Sequence, residues 1–241
     1  MQAAMTSEAV NPVDTRADTV SALIFDMDGT MIDSMPSHVL SWVEFMRRQN
    51  IEIDLSDLMR RTTGRNGAEC MREMFQRDFS DEEAWNYVAI KEQIYRELFG
   101  PVFAEVPGFK QFAALARQRG LKIGVGSAGD RHNIAFALDH LQLPEPPRAI
   151  VGGDEGLPGK PQPAIFLEVS KRMATRASGC IVFEDAPLGI EAARRAGMRA
   201  VAICTGHSAE ELAGPHVIAA AKDYFELIES DFLETLHVAT E

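Results

Sequence analysis

The sequence predicts an α/β fold, a doubly wound parallel sheet with an inserted α-helical cap domain. Short segments that are apolar throughout recur along the chain, and amphipathic helical stretches lie between them. Strands of this kind are buried on both faces, and their alternation with helices implies parallel pairing with helices on either side of the sheet. One long stretch of helical periodicity interrupts the alternation and predicts the insertion.

Five apolar segments predict core strands. They lie at residues 21–25, 121–126, 148–152, 180–183 and 199–203. Amphipathic segments at 108–119 and 187–196 predict helices between strands, and each is followed by a glycine, a residue typical of the position just past a helix. Open parallel sheets bind ligands at the carboxyl ends of their strands, so functional residues are expected where these segments end.

Residues 36–104 predict the inserted cap. Helical periodicity runs through 38–48, 68–79 and 82–99, with no convincing strand. The insertion follows the first strand directly, so the connections at 33–35 and 105–107 are expected to act as hinges above the site. The predicted organisation is a disordered leader at 1–19, a core domain at 20–35 and 105–230, the cap domain at 36–104, and a C-terminal tail at 231–241.

The charge of the chain favours a small-molecule partner. Its 241 residues include 36 acidic and 24 basic side chains, a formal charge of −12, which repels nucleic acid and anionic membrane surfaces. A small anionic substrate meets the same repulsion. An enzyme of this composition therefore needs a bound cation or a focused positive pocket at its site.

Other features of the composition predict a cytoplasmic protein. The three cysteines, Cys70, Cys180 and Cys204, are widely spaced and fit neither a disulfide framework nor a zinc site. The first 19 residues have no apolar run of signal-peptide length, and no segment is long enough to predict a membrane span. The sequence leaves monomer and small homo-oligomer open.

Asp26 and Asp28 follow the first predicted strand. Two carboxylates close together at the end of an apolar strand are costly unless they share a proton or a cation. Magnesium would resolve this conflict and would also neutralise an incoming phosphate. The alternative is a solvated acidic turn in which Asp28 and Gly29 only end the strand.

Four segments resemble, in order, the four signatures of the haloacid dehalogenase superfamily. The first is Phe-Asp-Met-Asp-Gly-Thr at residues 25–30, the second has Ser127 in Gly-Ser-Ala, the third has Lys160 in Gly-Lys-Pro-Gln-Pro, and the fourth is Phe-Glu-Asp-Ala at 183–186. Each lies where a strand ends or a helix begins. Over about residues 20–228 the chain is identified as a member of this superfamily, with a Rossmann-like core, and it resembles the capped subfamily of β-phosphoglucomutases and sugar-phosphate phosphatases.

The resemblance implies roles for the residues at the strand ends. Asp26 would be the nucleophile that forms an aspartyl-phosphate and would bind Mg²⁺ through its other oxygen. Asp28 would be the general acid and base, with its backbone carbonyl on the metal. Asp185 would be a further metal ligand. Glu184 would bind the metal directly or through a water, and the alternative is that it only orients its neighbours.

The resemblance places the phosphate between Ser127 and Lys160. The Ser127 hydroxyl and neighbouring backbone N–H groups, including that of Ala128, would bind phosphate oxygens. A helix N-cap is the alternative role for Ser127, and Asp130 could also cap that helix. Lys160 would steady Asp26 and the transferred group, and the helix after it is predicted to have Pro161 in its first turn.

In the cap, His38, Arg65 and Lys91 are the candidate substrate-binding residues, although each type alone is more often found on the surface. His38 and Lys91 lie near positions where the mutases carry a histidine and a lysine. After the serine, however, the chain reads Ala-Gly-Asp-Arg at 128–131 and lacks the hydroxyl and amide that help mutases hold a second phosphate, although Arg131 could replace a contact. An acid beside a phosphate is unfavourable.

The sequence thus predicts a magnesium-dependent phosphatase that acts on a small phosphorylated metabolite, a sugar phosphate or a phosphoglycolate-like monoester. The alternative is a β-phosphoglucomutase-type transfer within a sugar phosphate. A haloacid dehalogenase has no need of a second acid at Asp28, and a catalytically silent metabolite-binding protein would have lost one of the signature residues.

Overall fold

The computed structural model describes residues 19–52, 54–62 and 67–238. Within this part of the chain, six strands form one parallel sheet in the order β3-β2-β1-β4-β5-β6. The elements in chain order are β1 (Ala22–Phe25), α1 (Met35–Gln49), α2 (Leu55–Thr62), α3 (Gly67–Phe75), α4 (Asp81–Phe99), α5 (Phe109–Gln118), β2 (Lys122–Gly126), α6 (Arg131–Leu141), β3 (Ala149–Val151), α7 (Ala164–Arg172), β4 (Cys180–Glu184), α8 (Pro187–Arg195), β5 (Arg199–Ile203), β6 (Val217–Ala221) and α9 (Tyr224–Glu229).

The sheet is covered on both faces, as the uniformly apolar strands predict. On one face the side chains of Phe25 and Phe183 pack with α5 and α9, and on the other those of Ile24 and Val182 pack with α7 and α8. All of β1 and β4 is buried. These two central strands run in register, with Phe25 opposite Phe183, so their carboxyl ends meet at the same edge of the sheet.

All five predicted core strands are present, and the sequence missed the sixth. Strand β6 pairs with β5 at the edge of the sheet, and its residues alternate between partly buried and exposed before the buried Ala221. Its alanines carry little of the apolar bulk by which the other strands were recognised. Helix α2 was also missed. In the described ranges, no helix combines the length and apolar character needed to cross a bilayer.

The helix after Lys160 differs from its prediction. Pro161 does not lie in a helical turn: the Lys160–Pro161 peptide is cis, and α7 begins only at Ala164, after Pro163. Proline disfavours the helical conformation of the residue before it, so two prolines at alternate positions delay the start of the helix.

In the described part of the insertion between β1 and α5, four helices are present, α1 to α4. They enclose an apolar cluster of their own that includes Trp42, Phe45, Met71 and Val88. Near its end α4 joins the core, where the rings of Tyr95 and Phe99 pack against Phe136 of α6. Helix α4 therefore packs the insertion against the core.

The two connections of the insertion run side by side. Ile32 pairs with Glu105 in an isolated antiparallel bridge, the Asp33 N–H donates to the Ala104 carbonyl at 3.0 Å, and the Val106 N–H donates to Met31 at 3.0 Å. Residues 231–238, which we expected to be part of a tail, lie against the core: Phe232, Leu233 and Leu236 are buried there, and Val20 pairs with Val238.

Candidate active site

The ends of β1 and β4 supply three carboxylates of the candidate site. Asp26 follows β1, and its N–H donates to the Phe183 carbonyl of β4 at 3.0 Å. Glu184 closes β4, and Asp185 follows it. The sheet order reverses between β1 and β4, because β2 and β3 lie on one side of β1 and the later strands on the other. This is where a doubly wound sheet opens a crevice for ligands.

Lys160 links the two central strands by binding a carboxylate from each. Its Nζ donates to Asp26 Oδ1 at 2.5 Å and to Glu184 Oε1 at 2.5 Å, and all three side chains are buried. Burial alone would lower the pKa of Lys160, but the two carboxylates outweigh it and raise that pKa above its ordinary value. Lys160 is therefore a fixed positive charge beside Asp26.

Glu184 has a partner on each oxygen. Oε1 accepts from Lys160, and Oε2 accepts from the Ala186 N–H at 2.9 Å, just before α8 begins. This geometry suits the orienting role considered above. It depends on Gly189, since a Cβ there would lie 1.7 Å from Glu184 Oε1.

Three buried carboxyl groups form a cluster that could hold a cation. Side-chain oxygens of Asp26, Glu184 and Asp185 lie within 4.8 Å of one another. Burial raises the pKa of Asp26 to about 7. The charges of Glu184 and Asp28 also raise this pKa, and Lys160 lowers it, but not enough to cancel the rise. Burial and the charges of Glu184 and Asp26 likewise raise the pKa of Asp185. An all-oxygen set that resists ionisation fits a hard divalent cation, whose charge removes the repulsion.

Gly29 lets Asp185 approach the end of β1. Its φ of +78° lies in the left-handed region, and a Cβ there would lie 2.3 Å from Asp185 Oδ2. Thr30 adds a hydrogen bond from its hydroxyl to Asp185 Oδ1 at 3.3 Å. The glycine in the first signature thus serves both the turn and the position of the carboxylate.

Asp28 turns away from the acidic cluster and enters a second network. Its Oδ1 accepts from the Ser34 hydroxyl at 2.7 Å and lies 3.0 Å from His38 Nε2 and 3.4 Å from the Tyr95 hydroxyl. Burial would raise the pKa of Asp28, but His38, Ser34 and Lys91 together hold it below its ordinary value. All three contacts reach one oxygen, so Oδ2 is left to the cavity.

His38 and Lys91 extend this network into the helical insertion. Lys91 Nζ lies 2.7 Å from His38 Nδ1, and the imidazole is stacked on the Tyr95 ring with centroids 3.9 Å apart. An ammonium group only donates, so Nδ1 accepts and Nε2 carries the proton that is donated to Asp28. The two residues predicted to contact substrate therefore also fix the orientation of Asp28.

Ser127 is not the helix cap. The Asp130 carboxylate caps α6 by accepting from the N–H groups of His132 and Asn133, each at 2.9 Å. The Ser127 hydroxyl accepts from the Gly129 N–H at 3.0 Å, which leaves its own proton free to be donated. With capping assigned to Asp130, Ser127 is available for a ligand.

One cavity brings the predicted residues together. All of the sequence-predicted site residues in the described part of the chain line it: Asp26, Asp28, His38, Lys91, Ser127, Ala128, Lys160, Glu184 and Asp185. Arg65 lies outside the described residues. Arg131, considered as a replacement phosphate contact, is instead paired with Asp154 at 2.7 Å on the surface.

Several residues of the cavity and its network were not predicted from the sequence. Ser34 and Tyr95 hold Asp28, while Trp42, Glu92 and Asn133 line the cavity. Tyr95 lies four residues after Lys91, on the same face of α4, and that spacing was a usable signal. Nothing local marks Asn133, because it meets the insertion only after folding.

Comparison with known proteins identifies the family of this chain. The family described as haloacid dehalogenase-like hydrolase matches residues 20–197. The chain belongs to this family. It is 31% identical over 201 residues, 81% of this chain and 91% of the relative, to the validoxylamine A 7'-phosphate phosphatase of Streptomyces hygroscopicus subsp. limoneus. It is also 31% identical, over 75% of this chain and 95% of the relative, to the fructose-1-phosphate phosphatase of Escherichia coli (strain K12).

A solved structure of the family shows the same fold. The β-phosphoglucomutase of Clostridium difficile superimposes with a TM-score of 0.75 at 25% identity, covering 90% of this chain and 98% of that one. The predicted superfamily and the α/β fold with its helical insertion are therefore confirmed.

A pair of glycine substitutions tests the cation cluster of this hydrolase. Gly29→Ala and Gly120→Ala both place a side chain at positive φ, which costs about 1–2 kcal/mol, but the Gly120 position is open whereas Gly29 abuts Asp185. We expect both variants to unfold at lower temperature and only Gly29→Ala to lose thermal stabilisation by added Mg²⁺. Equal stabilisation of the two variants in a thermal melt would contradict the placement of Asp185.

The raised pKa values predict how stability responds to pH. A carboxyl group whose pKa is higher in the folded chain keeps its proton longer there, so without cation stability falls as pH rises from about 4 through about 7. We expect Mg²⁺ to raise the melting temperature more at pH 8 than at pH 5. Melts in EDTA and in Mg²⁺ measure this.

Asp185→Asn supplies the matched comparison, because it removes one of the clustered carboxylates. It should flatten the pH dependence and reduce the response to Mg²⁺, whereas Asp139→Asn, at an exposed position of α6, should change neither. A Mg²⁺ response in Asp185→Asn as large as that of the unmodified chain would exclude the cluster as the cation site.

Proposed function

We propose that this hydrolase is a magnesium-dependent phosphatase that cleaves the phosphate monoester of a small metabolite through an aspartyl-phosphate on Asp26. The observation that carries the proposal is the contact of Lys160 with Asp26 inside a cavity that also contains Asp28, Ser127 and Asp185. Nucleophile, proton donor, phosphate contact and cation ligand thus share one space. The relatives named as phosphatases support hydrolysis of a phosphorylated compound.

The first half of the reaction transfers the phosphoryl group to Asp26. An Asp26 oxygen attacks phosphorus in line, Lys160 and Ser127 hold phosphoryl oxygens, and Asp28 Oδ2 protonates the leaving oxygen. Asp28 gains that proton when phosphate charge enters the cavity, because nearby negative charge raises a carboxyl pKa. Mg²⁺, held by Asp26, Asp185, the Asp28 carbonyl and Glu184 directly or through water, would supply charge neutralisation for the phosphoryl group.

The second half releases phosphate. Asp28 takes a proton from a water molecule, and that water attacks the phosphorus of the aspartyl-phosphate, which regenerates the Asp26 carboxylate. The lowered pKa of Asp28 keeps it ionised, which is the form that can accept this proton. Because Ser34, His38 and Tyr95 all bind its other oxygen, the catalytic oxygen keeps its direction through both halves.

The helical insertion is proposed to act as the cap over this reaction. It carries His38, Trp42, Lys91 and Glu92 into the cavity, and its two connections run side by side above the site. Paired connections of this kind can serve as hinges. The domain boundaries at residues 36 and 104 remain our proposal.

A phosphomutase is the second candidate, because His38 and Lys91 lie in contact near positions where mutases carry a histidine and a lysine, and a β-phosphoglucomutase shares the fold. A mutase must hold a second phosphate. At the positions that would do so, Asp130 caps α6 and Arg131 is paired with Asp154. Water is therefore the favoured acceptor.

Replacing the nucleophile tests the phosphatase. We expect the unmodified chain to release phosphate from p-nitrophenyl phosphate and small sugar phosphates in Mg²⁺, and Asp26→Asn to lose this activity by at least about 10³-fold. Asp139→Asn is the control for substitution away from the cavity. Comparable phosphate release by Asp26→Asn and the unmodified chain would rule out Asp26 as nucleophile.

Product analysis separates the two candidates. β-Glucose 1-phosphate is incubated with enzyme, Mg²⁺ and a trace of β-glucose 1,6-bisphosphate, and both products are measured. We expect free phosphate without glucose 6-phosphate, because the described cavity offers a second phosphate no spare cation. Formation of glucose 6-phosphate in place of phosphate would establish the mutase.

A further inference from the structure

Glu92 lines the same cavity as Asp28 and Lys160. Its side chain is 12% exposed, and its Oε1 accepts from Lys91 Nζ at 3.0 Å. Lys91 contacts His38, which contacts Asp28, the residue proposed to protonate the leaving oxygen. These contacts link Glu92 to the residue that meets the leaving oxygen in the proposed reaction, whereas Asp26 and Lys160 meet the phosphoryl group.

Glu92 is ionised and has acceptor capacity left. Burial would raise its pKa, but the charge of Lys91 and the hydrogen bonds from Asn133 and Lys91 hold that pKa below its ordinary value. Its two hydrogen bonds in the structure come from Lys91 and from Asn133 Nδ2, at 2.6 Å on Oε2. A carboxylate offers about four acceptor positions, so Glu92 can accept further hydrogen bonds from a ligand.

The cations that line the described part of the cavity are already paired. Lys160 is bound to Asp26 and Glu184, and Lys91 is bound to Glu92. A second anionic group on the substrate would therefore meet the charge of Glu92 without an unpaired cation among these residues to offset it. A neutral hydroxyl, in contrast, can donate to the same carboxylate.

The apolar lining next to Glu92 matches a carbon skeleton. Trp42 and Met35 line the same cavity, and the Lys91 ammonium lies 4.9 Å from the centre of the Trp42 ring. A carboxylate beside an aromatic surface can bind hydroxyl groups on one side of a ligand and its C–H groups on the other.

We propose that Glu92 is a specificity-determining residue that selects phosphate monoesters with a neutral, hydroxylated leaving group and rejects those with a carboxylate or a second phosphate. This inference rests on the proposed phosphatase function. It narrows the substrate class from small phosphorylated metabolites in general to monophosphates of polyols or sugars.

A purely structural role for Glu92 makes a different prediction. Glu92 joins α4 to α6 through Asn133, whose Oδ1 also accepts from Arg96 at 2.7 Å. If Glu92 only held the two helices together, its loss would lower kcat/KM for every substrate by the same factor. Selection by charge instead changes the ratio between substrates.

The experiment measures that ratio in Mg²⁺. Values of kcat/KM are determined for sorbitol 6-phosphate, with a neutral leaving group, and for phosphoglycolate and fructose 1,6-bisphosphate, with anionic ones. We expect the unmodified chain to favour sorbitol 6-phosphate. The Glu92→Gln variant should reduce that preference at least about tenfold, because a charge that repels the anionic substrates is removed. The Glu92→Asp variant should retain most of the preference. Glu97→Gln, at an exposed position of α4, is the matched control and should keep the original ratio.

The outcomes distinguish failure of the proposed role of Glu92 from failure of the proposed phosphatase function. An unchanged ratio in Glu92→Gln, or a preference of the unmodified chain for the anionic substrates, overturns the role of Glu92 while leaving the phosphatase intact. The latter comparison needs no variant, so it stands even where Glu92→Gln fails to fold. Failure of the unmodified chain to hydrolyse any phosphate monoester, p-nitrophenyl phosphate included, overturns the proposed function and this inference with it.

Discussion

The burial of three carboxyl groups around a single lysine is the constraint on which the site depends. Asp26, Glu184 and Asp185 stand where β1 and β4 end, and Lys160 supplies one positive charge between the first two. Burial raises the pKa values of Asp26 and Asp185, and the excess of three buried acids over one buried base adds to that rise. The phosphatase reaction proposed for this acidic protein would therefore require a bound cation at this cluster.

The parallel sheet makes this crowding possible. The register of β1 and β4 sets Phe25 opposite Phe183, so the residues that follow them emerge together at one edge, and the phenylalanine rings stack beneath them with centroids 4.6 Å apart. Gly29 and Gly189 then allow Asp185 and Glu184 to fit where a side chain would collide with them. The strand register, the packing of the rings and the two glycines together hold these carboxylates close to one another although their charges repel.

Candidate site residues could be predicted from the sequence where they directly follow a recognisable strand. Asp26, Ser127 and Asp185 could be located because each follows an apolar strand, a pattern read within a few residues. Glu92 and Asn133 could not, because their contact joins two helices 41 residues apart and arises only on folding. Strand β6 and the late start of α7 escaped for related reasons: an alanine-rich edge strand has little apolar bulk, and two prolines displaced the helix.

Asp28 links the proposed reaction at the end of β1 to the helical insertion, which is proposed to select the leaving group. One oxygen of Asp28, Oδ1, is bound by Ser34 and His38, just before and within α1, and by Tyr95 of α4. The backbone of Asp28 itself belongs to the turn after β1. A leaving group that disturbs Lys91 or Glu92 would therefore also disturb Asp28, the proposed proton donor. Binding energy from the non-reacting part of the substrate can in this way support catalysis, since a correctly bound leaving group keeps Asp28 aimed at the bond that breaks.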